Sequence, residues 1–235
     1  MGYSFMVMVK RARADTEAVI FDYDGTLVHL NIDFSAMRQE VERVMTDYGI
    51  KPDAHKGLFI LEMIDEAREL ISKRNPSEAT SFYQEALELV TDHEVRAAKR
   101  GRVFSGAIDM LKLLRKRGIK VGIITRNCSK AVKILFPNIE GLCHVFIPRD
   151  LVNRVKPHPD HLALTLKKMA VNSPAHCLMV GDHIIDIEGG RHLGMKTAGV
   201  LTGKATHQDF MEAGADFILD DVTKIPDCIF EEQKR

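Results

Sequence analysis

Short apolar runs alternate with amphipathic stretches along most of the chain. The apolar runs are rich in valine and isoleucine and mostly do not alternate with polar residues, which is typical of strands covered on both faces. They predict strands at Ala18–Phe21, Lys120–Ile124, Val145–Ile147, Cys177–Val180, Thr197–Leu201 and Phe217–Leu219. Helical patterns between them include Ala107–Arg117, Pro159–Ala170 and Ile185–Leu193. Alternating strands and helices predict an α/β fold with a doubly wound parallel sheet.

Residues 33–100 break this alternation, because they contain helical patterns and no convincing strand. Asp33 is a suitable N-cap for a helix whose apolar face carries Phe34, Met37, Val41 and Val44. A second apolar stripe follows at Leu58, Leu61, Ile64, Ala67 and Ile71. Asn75 and Pro76 then predict the start of a third helix, which ends by Gly101. A unit of about three helices is therefore predicted directly after the first strand.

Composition and charge narrow the function classes. The 235 residues carry 33 basic and 33 acidic side chains, so no net charge favours nucleic acid or an anionic membrane as a partner. No apolar run reaches the roughly 20 residues of a membrane span, and residues 1–13 lack the order of a signal peptide. The four cysteines form no CxxC pair, which favours reduced thiols. We therefore expect a cytoplasmic protein with an N-terminal extension at residues 1–16.

The first strand ends in two aspartates, within the stretch AVIFDYDGTLV. Carboxylates as close as Asp22 and Asp24 repel each other unless a cation or a shared proton relieves them. Mg²⁺ prefers oxygen ligands and would keep Asp22 ionised as a nucleophile, while Asp24 could donate and accept a proton. Gly25 permits a sharp turn, and Thr26 supplies a hydroxyl or an N–H group. The alternative interpretation is a strand followed by an ordinary Asp-Gly turn.

Three further strand ends or loops carry polar residues. Thr125, Arg126 and Asn127 follow a strand and offer a hydroxyl and two backbone N–H groups to a phosphate, or a helix N-cap. Lys156 precedes a proline, which restricts its backbone, although a single lysine is usually solvated. Gly181-Asp182 ends another strand, and Asp186 follows four residues after Asp182. The two aspartates could supply one metal ligand and one supporting carboxylate. The alternative is that they cap the following helix.

These four segments together resemble the motifs of the haloacid dehalogenase-like (HAD) hydrolase superfamily. They are DYDGT at 22–26, Thr125 in IITRN, Lys156 in VKPHP and GDHIID at 181–186, and the resemblance covers roughly residues 17–222. The sequence is most similar to the phosphoglycolate phosphatase and β-phosphoglucomutase-like branch with a small helical cap. The resemblance implies a Rossmann-like core at 17–30 and 103–235, with an inserted all-α cap domain at 31–102 that closes over the site.

The resemblance also implies a role for each motif residue. Asp22 would be the nucleophile and Asp24 the acid and base. Asp22, the carbonyl of Asp24 and Asp182 would bind Mg²⁺. Thr125, with its neighbours Arg126 and Asn127, and Lys156 would bind the phosphoryl oxygens. Gly25, Thr26, Gly181 and Asp186 would support them, with Asp186 orienting Lys156 or a metal-bound water. His183 departs from the serine that is frequent in relatives, and is interpreted as an outward-pointing neighbour.

The expected function is an Mg²⁺-dependent phosphatase that acts on a small phosphorylated metabolite such as phosphoglycolate, through an aspartyl-phosphate intermediate. A phosphomutase of the β-phosphoglucomutase type is the alternative, since mutases share all four motifs. A binding protein on an inactive scaffold is disfavoured because no motif is broken. Thr202-Gly203-Lys204-Ala205 is not a P-loop, because its glycine spacing is one residue short. His158 and His161 stand close together, but carboxylates and a lysine suit Mg²⁺ better than zinc.

Overall fold

A computed structural model describes residues 16–230 and contains a six-stranded parallel sheet. Its strands are β1 (Ala18–Phe21), β4 (Lys120–Ile124), β5 (Val145–Ile147), β6 (Cys177–Gly181), β7 (Lys196–Val200) and β8 (Phe217–Leu219). They are arranged in the order β5-β4-β1-β6-β7-β8. Helices connect them, so the predicted Rossmann-like α/β fold is confirmed. The observed strand bounds differ from the predicted ones by one residue at β6 and at β7.

The helices of the described chain follow the sheet strands or lie within residues 31–100. They are α1 (Phe34–Asp47), α2 (Ile60–Ser72), α3 (Pro76–Ala98), α4 (Ala107–Lys116), α5 (Ser129–Leu135), α6 (Pro159–Lys168), α7 (Ile184–His192), α8 (His207–Ala213) and α9 (Ile225–Ile229). The short helices α5, α8 and α9 were not predicted, because five to seven residues contain too little periodicity to recognise.

Strand β1 lies at the centre of the sheet, because it pairs with β4 on one side and β6 on the other. All four of its residues are fully buried, as the continuous apolar run predicts. Ala18 and Ile20 face a core cluster that includes Leu162 and Leu166 of α6. The carboxyl ends of β4, β1 and β6 therefore lie side by side at one edge of the sheet, where ligands bind in such folds.

The described chain divides into two units. One contains the sheet, in the residues up to Leu30 and from Gly101 onward, and the other is Asn31–Arg100. The second unit consists of α1, α2 and α3 around its own hydrophobic core, with a short 3₁₀ turn at Pro52–His55. Asp33 and Asn75 cap α1 and α3 as predicted. Phe34 is an exception to the predicted apolar face, since it is 48% exposed while Met37, Val41 and Val44 are buried.

A small antiparallel pair escaped sequence analysis. It joins β2 (Val28–His29) to β3 (Arg102–Val103), on either side of the helical unit in sequence. Two residues per strand leave no pattern to detect, and the pairing depends on segments that are distant in sequence. Because β2 and β3 pair, both junctions of the helical segment are held at one place in the sheet-bearing unit.

All four cysteines are free and buried, which agrees with the expected absence of a disulfide framework. Among residues 16–230, no helix is long and apolar enough to cross a membrane. The predicted N-terminal extension lies outside the described residues except for Thr16.

Candidate active site

The carboxyl ends of β1, β4 and β6 place three predicted site residues together. Asp22 follows β1 directly, and its backbone N–H donates to Val180 O on β6 at 2.8 Å. Thr125 follows β4, and Asp182 follows β6. Asp22 and Thr125 are buried, whereas Asp182 is partly exposed. The parallel register of the three central strands thus brings together residues from three separate sequence motifs.

Lys156 lies between two carboxylates. Its ammonium Nζ is 2.5 Å from Asp22 Oδ1 and 2.6 Å from Asp186 Oδ1. The lysine is buried, with 3% of its surface exposed, and its peptide bond to Pro157 is cis. Burial alone would lower the pKa of Lys156, but the carboxylates of Asp186 and Asp22 outweigh it and raise that pKa. Lys156 is therefore a cation aimed at the oxygen of Asp22.

The carboxylate of Asp182 joins those of Asp22 and Asp186 to form an acidic cluster. Oxygen atoms of Asp22, Asp182 and Asp186 all lie within 4.8 Å of one another. Burial and the neighbouring carboxylates of Asp22 and Asp186 raise the pKa of Asp182 well above its ordinary range. When all three carboxylates are ionised, the single ammonium leaves two uncompensated negative charges, which a divalent cation would neutralise. The all-oxygen donor set fits Mg²⁺ better than a soft transition metal.

This acidic cluster differs in one member from the predicted ligand set. Asp186, expected as a supporting residue, belongs to the cluster, and its Oδ1 also accepts a hydrogen bond from the Lys156 ammonium. Its other oxygen accepts the N–H of His183 at 3.3 Å, so Asp186 is fixed on two sides. The side chain of Asp24 lies outside the cluster, and a ligand role for its carbonyl stays a prediction.

Asp24 has a different environment from Asp22. Its Oδ1 accepts the backbone N–H of Leu30 at 2.8 Å. Burial raises the pKa of Asp24 to about 7, against the opposing effect of that hydrogen bond. Tyr23, between the two aspartates, turns into the core and is 1% exposed. Tyr23 thus separates Asp22 from Asp24 along the chain, and the carboxylate of Asp22 contributes to the raised pKa of Asp24.

Close backbone approach holds Asp182 in place. Gly25 has φ of +82°, and a Cβ there would lie 2.2 Å from Asp182 Oδ2. Thr26, predicted as a supporting residue, has its hydroxyl 3.4 Å from Asp182 Oδ1. Gly181 is constrained similarly, since its Cβ would lie 2.1 Å from Asp186 Oδ2. The two supporting glycines therefore leave space for the two carboxylates of the GDHIID segment.

Sequence analysis missed the loop after β7. Gly203 packs directly on the acidic cluster, because a Cβ there would lie 1.8 Å from Asp182 Oδ2. Thr202 donates its hydroxyl hydrogen to Gly25 O at 2.5 Å, which joins this loop to the DYDGT turn. The Thr202-Gly203-Lys204 segment lacks phosphate-loop spacing, so its local sequence does not mark it as part of a site. The loop belongs to this edge of the sheet because β7 lies next to β6, and that strand order cannot be deduced from the order of the strands along the chain.

The IITRN residues surround the end of β4. The hydroxyl oxygen of Thr125 accepts the backbone and side-chain N–H groups of Asn127, both at 3.1 Å. Arg126 donates from its guanidinium to Lys156 O at 2.5 Å. Thr125 and Asn127 are therefore mutually oriented, and Arg126 lies against the main chain of Lys156. Their predicted phosphate contacts stay predictions.

His183 does not simply point outward, contrary to its first interpretation. It is the N-cap of α7, and its Nδ1 accepts the N–H of Ile185 at 3.3 Å. Together with the Asp186 bond to the His183 N–H, this forms a capping box. The histidine thus supplies the N-cap of α7, a position at which serine is a preferred residue.

Four basic residues of the helical unit, Arg68, Lys73, Arg74 and Arg96, are candidates for contacting an anionic group of the substrate, and the first three have partners within that unit. The Arg68 guanidinium stacks 4.3 Å from the Tyr83 ring centroid. Lys73 pairs with Glu69, and Arg74 donates to the carbonyl of Tyr48. Arg96, the fourth, is exposed on α3. These contacts give the first three a structural role inside the unit.

The fold and the site define a class of α/β hydrolase. The haloacid dehalogenase-like hydrolase family model matches residues 19–200, so the chain belongs to this family. An N-acetylmuramic acid 6-phosphate phosphatase from Pseudomonas aeruginosa is 29% identical, over 94% of this chain and 97% of that protein. The pyrophosphatase PpaX of Bacillus cereus is 30% identical, over 88% of this chain and 93% of that protein.

Solved structures show the same fold. A HAD phosphatase from Thermococcus onnurineus has a TM-score of 0.58 and 23% identity, covering 90% of this chain and 96% of that one. The predicted membership of the HAD superfamily is confirmed, and the protein is a HAD-type phosphoric monoester hydrolase.

Proposed function

We propose that the protein is an Mg²⁺-dependent phosphatase of a small phosphorylated metabolite, with Asp22 as the nucleophile. The observation that carries the proposal is the position of Asp22 between the Lys156 ammonium and the carboxylate of Asp182. Asp22, Asp182 and the carbonyl of Asp24 would hold the metal, and Asp186 would stand beside these ligands. When bound, Mg²⁺ supplies the positive charge that neutralises the carboxylates and the transferring phosphoryl group.

In the first step, an oxygen of Asp22 attacks the phosphorus and the bond to the leaving alcohol oxygen breaks. The Asp24 carboxyl gives its proton to that oxygen, so a neutral alcohol departs and an aspartyl phosphate remains. Lys156 and the hydroxyl of Thr125 bind the phosphoryl oxygens, whose charge increases in the transition state.

In the second step, the Asp24 carboxylate takes a proton from a water molecule that attacks the phosphorus of the aspartyl phosphate. The bond to Asp22 breaks, which releases inorganic phosphate and regenerates both carboxyl groups. A pKa of about 7 suits this double role, since both forms of Asp24 are populated near neutral pH.

The substrate class rests on two supports. The relatives named above act on N-acetylmuramic acid 6-phosphate and on pyrophosphate, both small phosphorylated compounds. Thr125 and Lys156, which are proposed to bind the phosphoryl oxygens, are both buried, and this suits a group as small as phosphoryl. The proposed substrate is therefore a small phosphate monoester, with phosphoglycolate and sugar phosphates foremost.

The test is phosphate release from phosphoglycolate, sugar phosphates including N-acetylmuramic acid 6-phosphate, nucleotides, amino-acid phosphates and pyrophosphate. Each compound is assayed with Mg²⁺ and with a chelator, and organic products are identified so that isomerisation by a mutase is seen. Magnesium-dependent phosphate release is expected. Acid-quenched protein should carry one phosphoryl group on the peptide that contains Asp22. Conversion of a sugar phosphate without phosphate release would instead establish a mutase.

A further inference from the structure

His161 is a fully buried histidine that the proposed chemistry does not use. It lies in the first turn of α6 and has no exposed surface. Its Nδ1 is 3.2 Å from the backbone nitrogen of Lys156, and its Nε2 is 2.9 Å from Ile147 O. Both ring nitrogens therefore contact main-chain atoms beside the candidate active site.

The two partners decide the tautomer. Ile147 O can only accept a hydrogen bond, so Nε2 carries the proton. The N–H of Lys156 can only donate, so Nδ1 is unprotonated and accepts. Burial lowers the pKa of His161 to about 4, so the ring stays neutral and keeps both bonds at neutral pH.

The same carbonyl connects His161 to the other side of the site. Ile147 is the last residue of β5, and its oxygen also accepts the backbone N–H of Thr125 at 3.2 Å. A hydrogen-bond chain thus runs from the Lys156 N–H through the imidazole and the Ile147 carbonyl to the Thr125 N–H. It joins the two segments that are proposed to bind the phosphoryl oxygens.

We propose that His161 is a positioning residue that sets the backbone of Lys156 relative to Thr125 and so aligns the two phosphoryl-binding groups. The imidazole does this without touching the substrate, by bridging two loops that the strands alone do not connect. This inference rests on the proposed phosphatase function, because it assigns Lys156 and Thr125 to one phosphoryl group.

Three variants separate the two hydrogen bonds. His161→Leu removes both, while His161→Asn places an acceptor near Nδ1 and can keep the Lys156 bond. Thr165→Val is the matched control, because Thr165 is equally buried on α6 and its hydroxyl only donates to His161 O. Affinity for inorganic phosphate in the presence of Mg²⁺ is measured by calorimetry, alongside the Mg²⁺-induced rise in melting temperature.

We expect His161→Leu to weaken phosphate binding and lower kcat/KM by about 10- to 100-fold, the scale of a misplaced binding group. His161→Asn should recover part of that loss, and Thr165→Val should stay within about twofold of the wild type. The Mg²⁺-induced shift should be unchanged in all three, since His161 contacts no carboxylate of the acidic cluster. Equal losses of phosphate and Mg²⁺ binding, or a folded leucine variant that binds phosphate normally, would overturn the proposal.

Nuclear magnetic resonance of the wild-type chain tests the bridge even where the leucine variant does not fold. We expect a scalar coupling between the Lys156 amide and His161 Nδ1. We also expect an Nδ1 resonance that is unchanged between about pH 6 and 8, within the range in which ordinary histidines titrate. An Nδ1-protonated ring would contradict the bridge. A wild type that binds phosphate but hydrolyses no tested ester would count against the proposed function and leave the phosphate-binding comparison decisive for His161.

Discussion

In the folded protein, the buried ammonium of Lys156 lies 2.5 Å from the carboxylate of Asp22. The two residues belong to distant segments, and Asp182 and Asp186 add two further carboxylates beside them. An isolated pair would be neutral, whereas this cluster retains negative charge that can hold a cation.

Replacing Lys156 should affect phosphate and metal in opposite directions. Lys156→Met removes a cation that binds phosphoryl oxygens, so kcat/KM should fall by about 100- to 1,000-fold. It also removes a positive charge beside the acidic cluster, so the affinity for Mg²⁺ should rise, as measured by titration of melting temperature against Mg²⁺. Lys120→Met is the control, because Lys120 pairs with Glu17 at the opposite ends of the strands. A parallel fall in both quantities would contradict the charge argument.

Asp22→Asn should abolish phosphate release while the protein remains folded. The amide has the size of the carboxylate but cannot attack phosphorus, so the rate should drop by at least about a thousandfold. The covalent phosphoryl group should disappear from the corresponding peptide. Circular dichroism and melting temperature verify folding, and Asp150→Asn provides a matched change at an exposed carboxyl. A folded Asp22→Asn protein with full activity would show that another group is the nucleophile.

The pH dependence of the reaction should report Asp24. Burial raises its pKa to about 7 from an ordinary 3.8, so the proton needed by the leaving alcohol is present below pH 7 and is lost above it. At saturating Mg²⁺, kcat/KM for an alkyl phosphate should therefore be level below about pH 7 and fall about tenfold per pH unit above it. The fall should be much weaker for p-nitrophenyl phosphate, whose leaving group needs no proton.

Asp24→Asn is the variant that assigns this pH profile. The asparagine cannot donate an acidic proton, so alkyl phosphate hydrolysis should fall by about 100- to 10,000-fold and lose its decline above pH 7. Persistence of the same decline in Asp24→Asn would assign the ionisation to a different group.

Gly203→Ala should weaken metal binding from outside the predicted motifs. The added methyl group would lie 1.8 Å from Asp182 Oδ2, so either the carboxylate or the loop after β7 must move. We expect about 10- to 100-fold weaker Mg²⁺ binding, the scale of disturbed outer-shell contacts, measured by thermal shift and by the Mg²⁺ dependence of activity. Gly141→Ala is the control, since nothing lies within 4 Å of a Cβ there. Equal Mg²⁺ affinities in the two variants would refute the role of the Gly203 contact.

The sequence by itself determined the six strands of the parallel sheet, their order along the chain and four of the polar segments at the sheet edge. This was achievable because a strand buried on both faces must be apolar throughout, and a charged residue that ends such a run is conspicuous. The caps of α1 and α3 were also legible, since Asp33 and Asn75 satisfy backbone N–H groups only a few residues away. Each of these signals is local.

Only the tertiary structure decided which of these residues meet. The order β5-β4-β1-β6-β7-β8 brings the loop after β7 against Asp182, and the sequence holds no local signal for such an approach. The bridging position of His161 and the membership of Asp186 in the acidic cluster likewise depend on pairings across many residues. A sequence displays each residue's chemistry and its near neighbours, whereas distances across the sheet arise from parallel pairing and packing of segments far apart in the chain.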